Sequence, residues 1–386
     1  MLAHALLSPR TSLRSLAGAA RTRSSGSVYG DACPLTLTPS QLRGLEPASV
    51  SVLDASWHMP ASPRNARREW LQMRIPGARF LDLDAVASEH PLGLKHMMPS
   101  PEVFAHACEN LGISPQSHVV IYDTHGVFSS PRALYMFRAF GHHRSSILDG
   151  GLPAWIAYGN PTNYGDPEPA PNALYPPPTL DDRVLRSYEQ IVANSALDPS
   201  RDSLADIVLD ARSKDRYLGT APEPRAGLSS GHIPHSVSLP FTALLDVVAM
   251  PQPPPPTALP VAPADTAPAL RAHPPQLRAA PSRAPGPGPE PEPPAGAFPW
   301  APPERYTTLK TSTQIMGVLE DALGAETLRE VLDGRRGVVA SCGSGMTAGV
   351  VWLALQMVGA EGAPAIYDES WTGYAMRPES KIEKGQ

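Results

Sequence analysis

Cys342 opens the stretch Cys342-Gly343-Ser344-Gly345-Met346-Thr347-Ala348. The apolar run Gly337-Val338-Val339-Ala340-Ser341 precedes it, and an apolar helical pattern from Thr347 to Val358, closed by Gly359, follows. This order predicts a thiol at the carboxyl end of a strand, where open α/β sheets bind ligands, with a helix N-terminus behind it. Small residues let backbone N–H groups turn inward around the sulfur, and the helix adds roughly half a positive charge. Both favour the thiolate, so the Cys342 pKa is expected below its usual ~8.5. Both would also stabilise an anionic group carried on that sulfur. The pattern reads as a nucleophile with an anion cradle. The alternative is a buried structural cysteine, but Gly-Ser-Gly at a strand-to-helix turn is the setting reactive thiols need. A phosphatase loop would place an arginine six residues after the cysteine, and that position is Ala348. The loop therefore suits a smaller group, such as a single sulfur atom.

The elements that must hold this loop occur twice. Thr38-Pro39-Ser40-Gln41 and Ser187-Tyr188-Glu189-Gln190 both read as capping boxes. Each precedes an apolar strand ending in Asp-Ala, Val50–Ala55 and Ile207–Ala211. Arg74-Ile75-Pro76-Gly77 and His232-Ile233-Pro234-His235 follow, each leading to a short strand near Phe80–Asp82 or Ser238–Pro240. Then come Val119–Asp123 and Gly337–Cys342, and finally Ile147-Leu148-Asp149-Gly150-Gly151 and Ile366-Tyr367-Asp368-Glu369-Ser370. Where the first copy continues Thr124-His125-Gly126-Val127-Phe128-Ser129-Ser130, the second has the Cys342 loop. Uninterrupted apolar strands alternating with helical stretches predict an α/β fold: two similar tandem domains, each a mostly parallel sheet with helices on both faces.

Composition bounds the rest. The chain has 386 residues, 32 Lys plus Arg against 37 Asp plus Glu, and a net charge of −5. Nothing in that balance predicts nucleic-acid binding, and no apolar run is long enough to predict a membrane span. Three cysteines, Cys33, Cys108 and Cys342, lie far apart, so neither a disulfide framework nor a thiolate metal site is expected. No cofactor is implied. Cys108 falls in a helical pattern and reads as core packing.

Residues 1–30 are acid-free, carry Arg10, Arg14, Arg21 and Arg23, and alternate Leu, Ala and Ser. That is the composition of a mitochondrial presequence. The matrix is therefore the expected location, with a shared cytoplasmic pool left open. Of 47 prolines, 20 lie between Met250 and Arg305, a block that cannot build a packed core and reads as a disordered insertion. Asp54 to Asp123 is 69 residues and Asp210 to Cys342 is 132, so the excess of 63 puts the block inside the second copy. The expected layout is a presequence (1–30), an N-terminal domain without a nucleophilic cysteine (31–160) and a linker (161–178). A catalytic domain (179–380) follows, interrupted at about 250–305.

The chain resembles the two-domain rhodanese family of sulfurtransferases from about Leu37 to Glu379, outside the insertion. The resemblance rests on Leu53-Asp54-Ala55-Ser56-Trp57, Arg74-Ile75-Pro76-Gly77-Ala78, His96-Met97-Met98-Pro99 and Phe137–His142 in the first copy. In the second it rests on Asp215–Thr220, Pro222-Glu223-Pro224-Arg225, Gly231–Pro234 and the Cys342 loop. Thiosulfate-preferring members typically carry Arg and Lys after the cysteine. Gly343 and Ser344 stand there in this chain, as in the branch that uses 3-mercaptopyruvate.

The resemblance implies that Cys342 attacks the donor sulfur to form a persulfide and release pyruvate. A thiol acceptor such as thioredoxin, or cyanide, would then take the sulfur. It assigns Arg216 and Arg225 to the donor carboxylate and keto oxygen, and Gly343, Gly345, Met346 and Thr347 to the binding loop. Ser344, His96 and Asp84 would form a relay across the domain interface. Three departures stand out: Met346 for a smaller residue, Glu369 for a glycine in a turn expected to need positive φ, and His235 for a glycine after Ile233-Pro234. The rival functions are a thiosulfate-using enzyme and a low-turnover sulfur-carrier or docking protein.

Overall fold

The computed structural model describes residues 32–251 and 301–385. The expected presequence and most of the proline-rich block lie outside the described residues. Strands β1 (Thr36–Leu37), β2 (Val50–Asp54), β3 (Arg79–Phe80), β4 (His118–Tyr122) and β5 (Ser145–Leu148) form an all-parallel sheet ordered β1-β5-β4-β2-β3. Strands β6 (Leu185–Arg186), β7 (Ile207–Asp210) and β8 (Val237–Ser238) belong to a second sheet. They join β11 (Val338–Ser341) and β12 (Ala365–Tyr367) in the matching order β6-β12-β11-β7-β8, again all parallel. Between β8 and β11 lies an antiparallel ribbon, β9 (Leu245–Ala249) with β10 (Arg305–Leu309). The fold is thus two α/β domains of matching topology. The short strands β3 and β8 begin one residue before the segments expected from sequence.

In the first domain the helices are α1 (Pro39–Arg43), α2 (Ala66–Gln72), α3 (Pro101–Asn110), α4 (Ser130–Ala139) and α5 (Gly151–Ala157). The second has α6 (Tyr188–Ser195), α7 (Lys214–Leu218), α8 (Ser312–Leu323), α9 (Ala325–Leu332), α10 (Ala348–Met357) and α11 (Ser370–Ala375). Thr38 and Ser187 form reciprocal capping boxes with Gln41 and Gln190, and Thr311 forms a third with Gln314. Each satisfies two backbone donors that a helix start leaves open.

The outer sheet faces bury separate clusters, Leu37, Leu152 and Trp155 on one domain and Tyr188, Trp371 and Tyr374 on the other. The inner faces share one continuous core, in which Cys108 is buried. Helices α4 and α10 meet at its centre, with Tyr135 edge-on to Trp352 at 5.4 Å. A Cβ on Gly349 would fall 2.7 Å from the Arg132 backbone nitrogen, so only glycine lets the helices approach this closely. That contact fixes the two domains against each other.

Residues 161–178 contain no helix or strand, yet are held to the first domain. Arg74 donates to the carbonyl of Gly165 at 2.7 Å, and Tyr175 hydrogen-bonds His142 at 2.8 Å. The ribbon was not foreseen: the proline-rich block is rooted in paired strands at both ends, and Arg305 already belongs to β10. The turn after β12 also differs from expectation. Glu369 has φ −66° and is not in the left-handed region; the positive φ falls on Ser370, at 50°. His235 does adopt φ 61°.

The repeats treat their strand-end aspartates differently. Asp210 has a buried counter-ion, Arg212, with a contact of 2.5 Å. Asp54 has Ser56 at the equivalent place, and burial pushes its carboxyl up to about 7 despite hydrogen bonds from Ser56. A raised carboxylate pKa means that stability is fully present below the unfolded value of 3.8 and is lost as pH rises toward about 7. Asp54→Asn is therefore expected to stabilise the protein above neutrality by at most about 4 kcal/mol. Thermal unfolding at about pH 4 and about pH 8 checks it: the variant should gain on the wild type only at the higher pH.

Candidate active site

Cys342 follows β11, and its loop is pinned by the start of α11. Its N–H donates to Ser370 Oγ at 3.1 Å, and its carbonyl accepts from Trp371 N–H at 2.9 Å. The carbonyl of Gly343 accepts from the N–H and hydroxyl of Thr372. Gly345, at φ 84°, turns its N–H back onto Cys342 Sγ at 3.1 Å.

The first copy shows what such a loop holds. In the sheets, Asp54 pairs with Tyr122 and Asp210 pairs with Ser341. Asp123 therefore occupies the place of Cys342, and comparing Thr124–Ser130 with Cys342–Ala348 is out of step by one residue. The Asp123 carboxylate accepts backbone N–H bonds from His125, Gly126, Phe128, Ser129 and Ser130 at 2.9–3.0 Å. The loop geometry is thus an anion cradle, filled in one copy by its own side chain. In the other copy a shorter thiol stands at the cradle's base.

A cavity of about 290 Å³ opens over Cys342. Gly343, Ser344, Met346 and Thr347 line its floor, with Arg216 and Arg225 at one side. Met346 is also buried against the core. A Cβ on Gly343 would lie 3.2 Å from an Arg216 nitrogen and 3.7 Å from an Arg225 nitrogen, so both guanidinium groups overhang the loop. Buried Glu223 holds the Arg216 fork from behind and also binds Arg212 at 2.7 Å. The first domain closes the cavity with Trp57, Met59 and Phe128, and Phe241 stands before the ribbon against Phe128.

His96 enters from the first domain. Its ring lies fully buried, edge-on to Trp57 at 5.2 Å. Nδ1 is 2.8 Å from Asp84 Oδ1, and Nε2 is 2.9 Å from Ser344 Oγ. Trp57 Nε1–H donates to the other Asp84 oxygen. Burial raises the Asp84 carboxyl, but the His96 hydrogen bond and charge, Trp57 and Lys95 outweigh it and hold it below the usual carboxylate range. An ionised Asp84 accepts from His96 Nδ1–H, which turns Nε2 to the Ser344 hydroxyl. The structure thus brings Cys342, Gly343, Ser344, Met346, Thr347, Arg216 and Arg225 to one cavity, while Gly345 touches it through the sulfur and His96 and Asp84 connect to it through Ser344.

Trp57, Phe128, Phe241, Arg212 and Glu223 received no role from sequence. Trp57 and Phe128 reach the cavity only through domain packing, which local spacing does not reveal, and Phe241 meets Phe128 from the second domain. Glu223, set between Arg216 and Arg225, carried a usable signal: an acid placed to orient a guanidinium. Among the described residues no cluster of side chains could hold a metal ion, and no helix is long and apolar enough to cross a membrane.

A rhodanese-like domain signature matches residues 46–158. The chain is 42% identical to human 3-mercaptopyruvate sulfurtransferase over 51% of its own length, and that match spans 64% of the human protein. It is 31% identical to thiosulfate/3-mercaptopyruvate sulfurtransferase 1, mitochondrial, of Arabidopsis thaliana, over 88% of this chain and 75% of the relative. The fold is similar to that of SseA from Escherichia coli, described as a 3-mercaptopyruvate sulfotransferase, with a TM-score of 0.61 at 24% identity. That likeness covers 88% of this chain and 99% of the other. Sheet order, cradle loop and relatives together make the chain a member of the rhodanese family of sulfurtransferases.

Proposed function

We propose that the protein transfers a sulfur atom from 3-mercaptopyruvate to a thiol acceptor through a persulfide on Cys342, releasing pyruvate. The observation that carries this reading is the convergence of a thiol, an anion cradle and two guanidinium groups on one cavity. Arg216 and Arg225 suit the carboxylate and keto oxygen of a small 2-keto acid, since a guanidinium fork binds such groups in two places. The Cys342 thiolate attacks the donor sulfur, the carbon–sulfur bond breaks, and its electron pair becomes the enolate of pyruvate. His96, oriented by Asp84, holds the proton that the Cys342 thiol gives up on ionising and returns it through the Ser344 hydroxyl to the enolate, so the serine ends as it began. The cradle N–H groups then stabilise the persulfide anion. An acceptor thiolate attacks the outer sulfur and restores Cys342.

Donor charge favours this reading over a thiosulfate enzyme. The loop itself carries no Lys or Arg, and Glu223 neutralises part of the Arg216 charge. A monoanion fits that balance better than a dianion. Steady-state turnover with each donor decides between them: a higher kcat/KM for 3-mercaptopyruvate supports the reading, and a thiosulfate preference overturns it. The carrier alternative predicts negligible turnover with both. Arg216→Lys should raise KM for 3-mercaptopyruvate about tenfold or more with a smaller change in kcat, because an ammonium cannot replace the fork.

The acid-free, arginine-bearing start and the mitochondrial relative support work in mitochondria. Thioredoxin, or another protein dithiol, is the proposed acceptor. An exposed dithiol would both accept the sulfur and release it as sulfide on closing its own disulfide.

A further inference from the structure

The two domains exchange arms in a pseudo-symmetric way. Asp149 and Asp368 each lie 26 residues after the strand-end position, Asp123 or Cys342. Asp149 accepts from Leu309 N–H of the second domain at 2.9 Å, and Asp368 accepts from Met98 N–H of the first at 2.6 Å. Two residues earlier in each arm, Thr307 contacts the Asp123 loop and His96 contacts the Cys342 loop. An aspartate of each domain thus grips an arm of the other.

Arg132 breaks this symmetry. It lies nine residues after Asp123, and the equivalent residue in the second copy is Val351, which is fully buried and apolar. The fold alone can thus fill the place without a charge. Arg132 is also buried, and one of its nitrogens donates both to the His96 carbonyl at 2.8 Å and to Asp368 Oδ1 at 2.5 Å. Its other terminal nitrogen has no hydrogen-bond partner and would sit 3.3 Å from a Cβ on Gly345, the residue whose N–H reaches Cys342 Sγ. His96 itself holds φ 48°, a conformation that a non-glycine residue keeps only when its surroundings impose it.

We infer that Arg132 is a positioning residue for sulfur transfer: it holds His96 in its left-handed conformation and sets the relay against Ser344 and the cradle. The inference rests on the Ser344–His96–Asp84 relay proposed above. It also gives the first domain a role beyond shape, because Arg132 and His96 both belong to it while Asp368 and the thiol belong to the second.

The test is a double-mutant cycle on the full-length protein with 3-mercaptopyruvate as donor. Lysine keeps the charge of Arg132, but both bonds leave a terminal guanidinium nitrogen and the lysine nitrogen ends one atom short of that place on a flexible stem, so it cannot meet carbonyl and carboxylate together in the same geometry. Arg132→Lys should lower kcat about tenfold or more, as expected for a misplaced relay, with KM within about twofold. In the His96→Ala background the same change should cost less than about twofold further, because the group it positions is gone. An unchanged kcat, a rise in KM matching the fall in kcat, or an undiminished effect in the His96→Ala background would overturn the inference. Should Arg132→Lys not fold, Asp368→Asn enters the same cycle with the same expectations. A His96→Ala protein of wild-type kcat would remove the relay, and this inference with it. Absence of turnover in the wild type would instead remove the proposed function.

Discussion

Cys342→Ala should turn over neither donor, a loss of at least about 10³-fold in kcat, the size expected when a covalent nucleophile is removed. The change should cost little stability. The thiol accepts one hydrogen bond, from Gly345 N–H, and the loop is otherwise tied by backbone bonds to Trp371 and Thr372 that alanine keeps. Unfolding midpoint and turnover, measured on the same preparation, separate loss of chemistry from loss of fold. Neither Cys33 nor Cys108 can substitute. Both are buried outside the cavity, and burial drives the Cys108 thiol well above its ordinary range, away from the reactive thiolate.

The second large effect concerns the relay. His96→Ala should lower kcat with 3-mercaptopyruvate by about 10²-fold or more, within the range of general acid–base catalysis. The ring is buried between Asp84, Trp57 and Ser344, so its loss removes the base that orients the Ser344 hydroxyl. KM should change far less, since the guanidinium groups proposed to bind the donor carboxylate stand on α7 and the segment after it. Ser344→Ala should reproduce most of the loss, and the double variant should be little worse than either alone, as groups acting in one chain are not additive. Kinetics of the three variants at saturating donor check this. Additive losses would mean that the serine and histidine act separately.

The reactive loop and its frame were legible in the sequence because both depend on local pattern. A thiol after an apolar strand, glycines in the turn and a following helix specify the cradle within a dozen residues. The capping boxes at Thr38 and Ser187 are four-residue signals. What escaped depends on contacts between distant segments. Arg132 reads as one more charge at a helix start, and only the packing of α4 on α10 turns it toward Asp368. The ribbon was hidden for a different reason: its strands are separated by the long proline-rich block, so no hairpin spacing exists to be read. The place of Asp123 was obscured by a one-residue shift that only the register of β4 against β2 removes. His96 and Asp84 were drawn together by resemblance, since the eleven residues of loop between them carry no periodicity that would do so.

The central claim is that Cys342 carries sulfur as a covalent intermediate. Its most direct test is the intact mass of the full-length protein after brief exposure to 3-mercaptopyruvate without an acceptor, followed by peptide mapping. The account predicts a gain equal to one sulfur atom, located on the peptide containing Cys342, matched by one equivalent of pyruvate and reversed by a dithiol. Pyruvate release with no added mass, or added sulfur mapping to Cys33 or Cys108, would contradict it.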